Sequence, residues 1–288
     1  MAKESPPKPK DDLITYAENT WCPGCGNFGI LTSFKNAVKK LEARGTPRDR
    51  IVITAGIGCH GKIHDYLNMS GFYSLHGRSM ATAQGMKLAN PGLKVVAFCG
   101  DGDAFGEGLE HMLFASKRNA DITVIVHDNG VYGLTTGQFT PTSEKGFRGP
   151  STPFGSIEEP INPLVLMLET GATFVARGFP GNPGMLTDIF VEAIEHEGFS
   201  FVNVLQPCVS YNNTYKKYNA VTEALQAPAK DLDEALAISR RKDRLPIGII
   251  YRHEKPAFHR ALFGDRIPVR DRPATETRHE AIRKILKV

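Results

Sequence analysis

Apolar residues recur along this chain with two alternating periods. Between residues 30 and 41 they fall three and four apart, at Ile30, Leu31, Phe34, Val38 and Leu41, which predicts a helix with one buried face. Gly45-Thr-Pro47 ends that pattern, and Ile51–Ala55 follows as an unbroken apolar run of strand length. The alternation then repeats. A helix over Met80–Ala89 leads to a strand over Lys94–Phe98, and a helix over Glu107–Arg118 leads to a strand over Ile122–Val126. Consecutive apolar positions are what strands buried on both faces require. Residues 135–162 are rich in Thr, Ser, Pro and Gly and have little period, as expected of a functional loop. Helix 162–170, strand 173–177, helix 183–197 and strand 200–205 resume the pattern. Such alternation predicts an α/β fold: a doubly wound, mostly parallel sheet flanked by helices.

Beyond Cys208 the pattern loosens. Tyr211–Tyr218 is aromatic and basic, Leu232–Arg240 reads as helix, Ile247–Tyr251 as strand, and Asp265–Val288 is charged with an amphipathic end. Three parts are expected: a polar, proline-rich flexible arm (1–14), a main domain (15–210), and a C-terminal extension (211–288) that packs on the domain or on a partner subunit.

Composition narrows the classes. The 288 residues are 41% hydrophobic and 23% charged, enough apolar material for a sizeable core. The net charge of +4 is spread without a basic block, which argues against a nucleic-acid partner. No apolar run approaches a membrane span, and the first twelve residues lack the apolar stretch of a secretory signal. A cytoplasmic protein is expected, whose five cysteines serve as thiols, ligands or catalysts rather than disulfides.

The most informative segment is Val95-Val-Ala-Phe-Cys-Gly100-Asp-Gly-Asp-Ala-Phe-Gly-Glu-Gly108, followed downstream by His127-Asp-Asn129-Gly-Val-Tyr-Gly133. A buried strand runs into a glycine-rich turn and then a helix. Glycines let the backbone approach a ligand, and the free amides of a helix start suit a phosphate. A diphosphate needs a hard cation on oxygen ligands, and Asp101 and Asn129 supply two from the ends of successive strands. The plainer alternative is a glycine turn capped by Asp.

Four cysteines share a second logic. Cys22 and Cys25 form a Cys-Pro-Gly-Cys knuckle, while Cys59 and Cys208 each follow a strand. Four thiolates hold either zinc or a [4Fe–4S] cluster, and spacing alone leaves both open. A zinc ribbon would use a second close pair, which this chain lacks. Cys99, inside a strand, reads as a buried hydrophobe.

Gly100-Asp101-Gly102, with 26 residues between it and Asn129, resembles the motif of thiamine-diphosphate enzymes. Cys-Pro-Gly-Cys-Gly, Gly56-Ile-Gly-Cys59, Leu75-His-Gly-Arg78, Ala89-Asn-Pro91 and Tyr132-Gly-Leu-Thr-Thr-Gly-Gln138 complete a resemblance in order from about residue 15 to 218. On these motifs the chain is identified as similar to the β subunits of 2-oxoacid:ferredoxin oxidoreductases. The resemblance implies that Asp101, Asn129 and the carbonyl of Val131 hold Mg²⁺. It implies that Gly100, Gly102, Asp103 and Ala104 meet the diphosphate, and that Gly58, Tyr132, Gly133, Leu134 and Thr135 surround the cofactor. By the same resemblance Cys22, Cys25, Cys59 and Cys208 ligate one [4Fe–4S] cluster.

The implied activity is coenzyme A-dependent oxidative decarboxylation of a small 2-oxoacid to acyl-CoA and CO₂, or the reverse carboxylation. Electrons would pass through the cluster to ferredoxin, with thiamine diphosphate as the electron sink. The implied partner is an α (or fused γ-α) subunit that supplies the pyrimidine side of the site, in an (αβ)₂ assembly. Lys62, His76 and Arg78 are candidates for the substrate side, against a solvated lysine and a structural hydrogen-bonded pair. The segment Gly133–Gln138 resembles 2-oxoglutarate or broad-specificity members more than strict pyruvate enzymes, although Thr136 stands where some of those relatives have lysine; 2-oxoglutarate is favoured, with pyruvate or broad specificity as the alternatives. Two other readings are a non-redox thiamine-dependent decarboxylase with zinc or free thiols, and an electron-transfer subunit without catalysis of its own.

Overall fold

The computed structural model describes residues 12–271 and 275–287. Most of the expected N-terminal arm, residues 1–11, lies outside them. Eight strands form one sheet: β1 (Ile51–Ala55), β2 (Gly71–Tyr73), β3 (Lys94–Gly100), β4 (Thr123–Asp128), β5 (Phe174–Gly178), β6 (Ser200–Leu205), β7 (Thr222–Ala224) and β8 (Leu245–Arg252). Their order is β2-β1-β3-β4-β6-β5-β8-β7. All neighbours are parallel except β8, which runs antiparallel to β5.

Side-chain alternation along the strands feeds two cores. In β3, Val96 and Phe98 face one side of the sheet, under α1 (Gly26–Ala43) and α6 (Pro183–Glu195), beside Phe34 and Phe190. Val95, Ala97 and Cys99 face the other, under α3 (Ser79–Ala89), α4 (Leu109–Lys117), α5 (Pro163–Glu169) and α8 (Leu232–Ser239). Cys99 is fully buried there, with Ser79 Oγ 3.1 Å from its sulfur. Asn162 and Asn182 cap α5 and α6 by accepting from amides three residues on, each with proline as the first helical residue.

Three features depart from the pattern in the sequence. The helix expected from Glu107 begins as a π-helical turn, Asp103–Glu107, and α4 proper starts only at Leu109. Gly108, at φ −110° and ψ 6°, separates the two, and the position must be glycine, because a Cβ there would lie 2.8 Å from the carbonyl oxygens of both Asp103 and Gly77. The short α2 (Ile63–Tyr66), α7 (Tyr215–Val221), β2 and β7 have no readable period. Residues beyond 210 contribute β7 and β8 to the same sheet, and α9 (Phe258–Phe263) and α10 (Thr275–Leu286) follow.

The parallel strands β1, β3, β4 and β6 are adjacent, so their carboxyl ends open side by side at one edge of the sheet. The loops that leave them carry Cys59, Asp101, Asn129 and Cys208. Ligand sites in open α/β sheets form at such edges.

Candidate functional site

At the end of β3 the chain passes without a loop into a helical turn at Asp101, and the first amides of such a turn have no acceptor within it. Gly58, Gly100, Asp101, Gly102, Asp103, Asn129 and the run Val131–Thr135 line one cavity of about 70 Å³. Gly102 needs to be glycine, since a Cβ there would lie 2.2 Å from the Tyr132 ring. Gly58 and Gly100 make room for His60, whose Nδ1 would stand 2.8 and 2.7 Å from their missing Cβ atoms.

The Asp101 carboxylate is buried. Its Oδ2 accepts from Thr140 Oγ1 at 2.5 Å and Thr142 Oγ1 at 2.7 Å, and its Oδ1 faces the Asn129 amide at 3.5 Å. Burial, and then the neighbouring Asp128 carboxylate, push its pKa up to about 7. Burial likewise raises Asp128, which accepts from Asn203 Nδ2 at 3.1 Å and lies 2.9 Å from Thr142 Oγ1. The single Thr142 proton cannot serve both carboxylates at once. A cation beside Asp101 would relieve this crowding of negative charge, and Asn129 Oδ1 is a second oxygen of the right kind. These residues fit a hard divalent metal.

The long loop after β4 thus acts through Thr140 and Thr142, which hold Asp101, and through Ser143, whose hydroxyl donates to Gly130 O at 2.6 Å.

A second cavity, of about 200 Å³, is lined by Cys22, Cys25, Cys59 and Cys208. The Cys22–Cys25 knuckle closes on itself through the Cys25 amide to Cys22 O at 3.0 Å, and the Gly26 amide ties it to Pro207 O at 3.1 Å. Trp21 joins it to the β1 loop by donating Nε1–H to Cys59 O at 2.6 Å. Burial first, then the other three sulfurs, raise Cys25 to about 11, so a metal centre or another cation is needed to hold four thiolates together. Among the described residues no three His, Cys, Asp or Glu side chains gather closely enough for one metal ion. The four thiols line one volume, and a donor set of four sulfurs fits either zinc or an iron–sulfur cluster.

The two cavities share a wall of Cys59, Asn129, Gly133 and Leu134. A Cβ on Gly133 would lie 3.6 Å from Cys208 Sγ and 3.7 Å from Cys59 Sγ, so the backbone that borders the first cavity touches the thiols of the second.

Comparison with known proteins gives the family. Residues 56–204 match the family described as "Thiamine pyrophosphate enzyme, C-terminal TPP binding domain". Residues 208–264 match the family of the C-terminal part of the pyruvate ferredoxin oxidoreductase β chain. The chain is 41% identical over 268 residues to the 2-oxoacid:ferredoxin oxidoreductase subunit beta of Saccharolobus solfataricus, covering 87% of each. The chain belongs to the β subunits of the 2-oxoacid:ferredoxin oxidoreductases. It is 42% identical over 191 residues to the 2-oxoglutarate synthase subunit KorB of Archaeoglobus fulgidus, covering 66% of this chain and 70% of that one. Its fold also matches a 2-oxoglutarate:ferredoxin oxidoreductase from Magnetococcus marinus, solved with 2-oxoglutarate, coenzyme A and succinyl-CoA bound. That likeness has a TM-score of 0.87 and 35% identity over 94% of both chains.

Not every candidate residue of this β subunit reaches a cavity. Ala104 is buried in the π-helical turn and lines neither. Arg78 also lines neither; its Nη1 donates to Glu107 O at 2.7 Å and pins the Leu75–Arg78 turn. The Asp103 carboxylate binds protein groups, accepting from the Gly77 amide at 2.7 Å and the Ile57 amide at 3.3 Å. His76 lines the first cavity with Nδ1 3.0 Å from Glu107 Oε2, and Tyr132 donates its hydroxyl to Glu107 Oε1 at 3.2 Å. Lys62 lines the thiol cavity, where its Nζ donates to Thr20 Oγ1 at 2.9 Å and its charge opposes the upward shift of Cys59.

His60, His127 and Gln206 carry no spacing signal in the sequence, yet all three reach the site. His127 is held neutral by burial and by His60, with Nδ1 2.8 Å from Asn27 Oδ1. Only the strand-end positions of His127 and Gln206 could have pointed to them.

Proposed function

We propose that this β subunit holds the diphosphate of thiamine diphosphate through Mg²⁺ on Asp101, Asn129 and the Val131 carbonyl, with a [4Fe–4S] cluster on Cys22, Cys25, Cys59 and Cys208. With an α (or fused γ-α) subunit it would carry out CoA-dependent oxidative decarboxylation of a 2-oxoacid, with ferredoxin as electron acceptor. The observation that carries this reading is the shared wall of Cys59, Asn129, Gly133 and Leu134 between the two cavities. When bound, thiamine diphosphate supplies the electron sink for decarboxylation, and the adjoining cluster supplies an outlet for single electrons.

The chain's own residues have separable tasks. Gly100 and Gly102 admit the backbone to the phosphates, and the amides of the helical turn donate to them. Asp101 and Asn129 fix the cation. Gly58, Tyr132, Gly133, Leu134 and Thr135 enclose the cofactor and exclude water from it. Lys62, beside the thiols, and His76, at the first cavity, are placed to meet an anionic substrate. Arg78 acts through the turn it pins, and Ala104 contributes its backbone to the helical turn that meets the diphosphate. The substrate favoured is 2-oxoglutarate, in keeping with the substrates named for the Archaeoglobus and Magnetococcus relatives.

An apolar rim supports a heteromeric assembly of (αβ)₂ type. Phe72 and Tyr73 of edge strand β2 and Leu75, next to His76, are exposed beside the first cavity. The main domain would run over residues 15–210 and the extension over 211–288; one family match ends at 204 and the other begins at 208. No helix among the described residues is long and apolar enough to cross a membrane, in keeping with a cytoplasmic setting.

The test is iron and sulfide analysis of anaerobically purified protein co-expressed with its partner subunit, paired with CoA-dependent ferredoxin reduction on 2-oxoglutarate and on pyruvate. About four irons and four sulfides per chain are expected. Cys22→Ser and Cys208→Ser should lose them. Zinc, or no metal beyond Mg²⁺, would leave a non-redox thiamine enzyme instead. Faster turnover on pyruvate would overturn the substrate assignment alone.

A further inference from the structure

Gln206 is the first residue after β6, and its side chain is buried between the two cavities. Its backbone amide donates to Asp128 O at 2.8 Å, which holds it against the end of β4. The side-chain Nε2 donates to Pro207 O at 2.6 Å and lies 3.5 Å from Cys25 Sγ. Its Oε1 accepts from Asn129 Nδ2 at 2.8 Å. One side chain therefore touches a candidate cation ligand with one end and a candidate cluster ligand with the other.

The orientation of both amides follows from donor and acceptor chemistry. A backbone carbonyl only accepts, so the Gln206 face at Pro207 must be the NH₂ group and the opposite face must be oxygen. That oxygen requires a donor from Asn129, so the Asn129 face turned to Gln206 is its NH₂. The Asn129 oxygen is left on the other side, where it accepts from the Val131 amide at 2.9 Å and keeps a second lone pair for a cation. Pro207 O thereby fixes, through two amides, that Asn129 offers an oxygen to a metal rather than two N–H donors.

Packing holds this relay in place, since a Cβ on Gly26 would lie 3.0 Å from Gln206 Cγ and 2.8 Å from the Pro207 ring. At the thiol end, an N–H pointed at a ligating sulfur favours the more negatively charged, reduced state of a cluster.

We propose that Gln206 is a positioning residue that links the two cofactor sites, setting the coordinating face of Asn129 and raising the reduction potential of the cluster through Cys25. The proposal rests on the cofactor assignment made above and adds a coupling between the two groups.

The test uses the anaerobically co-expressed complex with wild-type Gln206, Gln206→Met and Gln206→Glu. It reads the cluster midpoint potential by spectroscopic redox titration, and Mg²⁺ affinity in the presence of thiamine diphosphate. Gln206→Met removes the bonds to Asn129, Pro207 O and Cys25 alike. It should weaken Mg²⁺ binding about tenfold and make cluster reduction about tenfold less favourable, a fall of about 59 mV for a one-electron couple. Gln206→Glu keeps an acceptor for Asn129 but loses the donor to both Pro207 O and Cys25. It should retain Mg²⁺ affinity while its potential still falls, a split that a merely structural role would not produce.

Variants with full iron content, unchanged potential and unchanged Mg²⁺ affinity would overturn the proposal. Equal loss of Mg²⁺ affinity in both variants would overturn the amide relay. A wild-type complex without iron would instead overturn the cluster assignment, with the Mg²⁺ arm still deciding the Asn129 half. Should Gln206→Met fail to fold, the Glu variant decides the thiol half alone.

Discussion

Asp101 bears most of the site's electrostatic strain. Its pKa is raised from the usual 3.8 to about 7 by burial and by Asp128. Between those values the folded chain without metal binds a proton that the unfolded chain has lost, so apo stability should fall as pH rises through that window. Mg²⁺ competes with the same proton. Its affinity should therefore rise with pH, by up to about tenfold per unit below pH 7, and level off above. Mg²⁺ titrations from about pH 5.5 to 8 with thiamine diphosphate present would show this, and a flat profile would mean that Asp101 is already ionised without metal. At this scale the sequence was informative where chemistry is local. Gly100-Asp101-Gly102 and the cysteine knuckle can be read because their spacing is set by one strand–turn–helix unit or one tight turn. Gln206, His60 and His127 could not be read, because their roles depend on which strands lie side by side.

Among the elements, the N-terminal knuckle depends on Trp21. Its ring meets Phe28 and Tyr66 edge-on at 5.5 and 4.8 Å, and its Nε1 holds the Cys59 loop. Trp21→Ala should cost about 3 kcal/mol of stability in the apo chain. It should also speed iron loss in air, because the segment bearing Cys22 and Cys25 loses its hold on the one bearing Cys59. Denaturant unfolding and timed iron release would measure the two effects, and unchanged iron retention would show that Pro207 alone anchors the knuckle. The main helices and strands were legible because each buries a long apolar stripe or run. The start of α4 was not, since it is set by the non-helical backbone of Gly108 rather than by polarity. The direction of β8 was also hidden, because an apolar strand reads the same in either sense.

For the whole molecule, the edge of the sheet opposite the cofactors carries a different charge device. Lys87, on α3, and Asp121, just before β4, form a buried pair at 2.5 Å, with both side chains less than a tenth exposed. Lys87 also donates to Leu93 O at 2.7 Å, and Asp121 accepts from the Gly198 amide at 3.1 Å. Burial lowers the pKa of Lys87 despite its partner. Asp121→Ala would leave an unpaired buried ammonium and should destabilise by about 3–5 kcal/mol, and Lys87→Met, which strands the Asp121 carboxylate, should cost about as much, whereas replacing both together with apolar residues should be close to neutral. All of these variants should keep wild-type turnover once folded, because the pair lies at the start of the strands that carry the site on their far ends. Thermal denaturation and steady-state rates would separate these outcomes, and loss of turnover in folded Asp121→Ala would show the two edges to be coupled. The doubly wound sheet was foreseeable from the strand–helix rhythm, but the order of its strands was not, and that order decides which loops meet.

The scatter of the four thiols along the chain also sets a schedule for biosynthesis. Cys22 leaves the ribosome early, but Cys208 emerges more than half a chain later. At ~5–20 residues per second the knuckle waits roughly 10–40 s for its last companion. The cluster proposed above therefore could not gain all four donors until β6 and the loop after it had been synthesised.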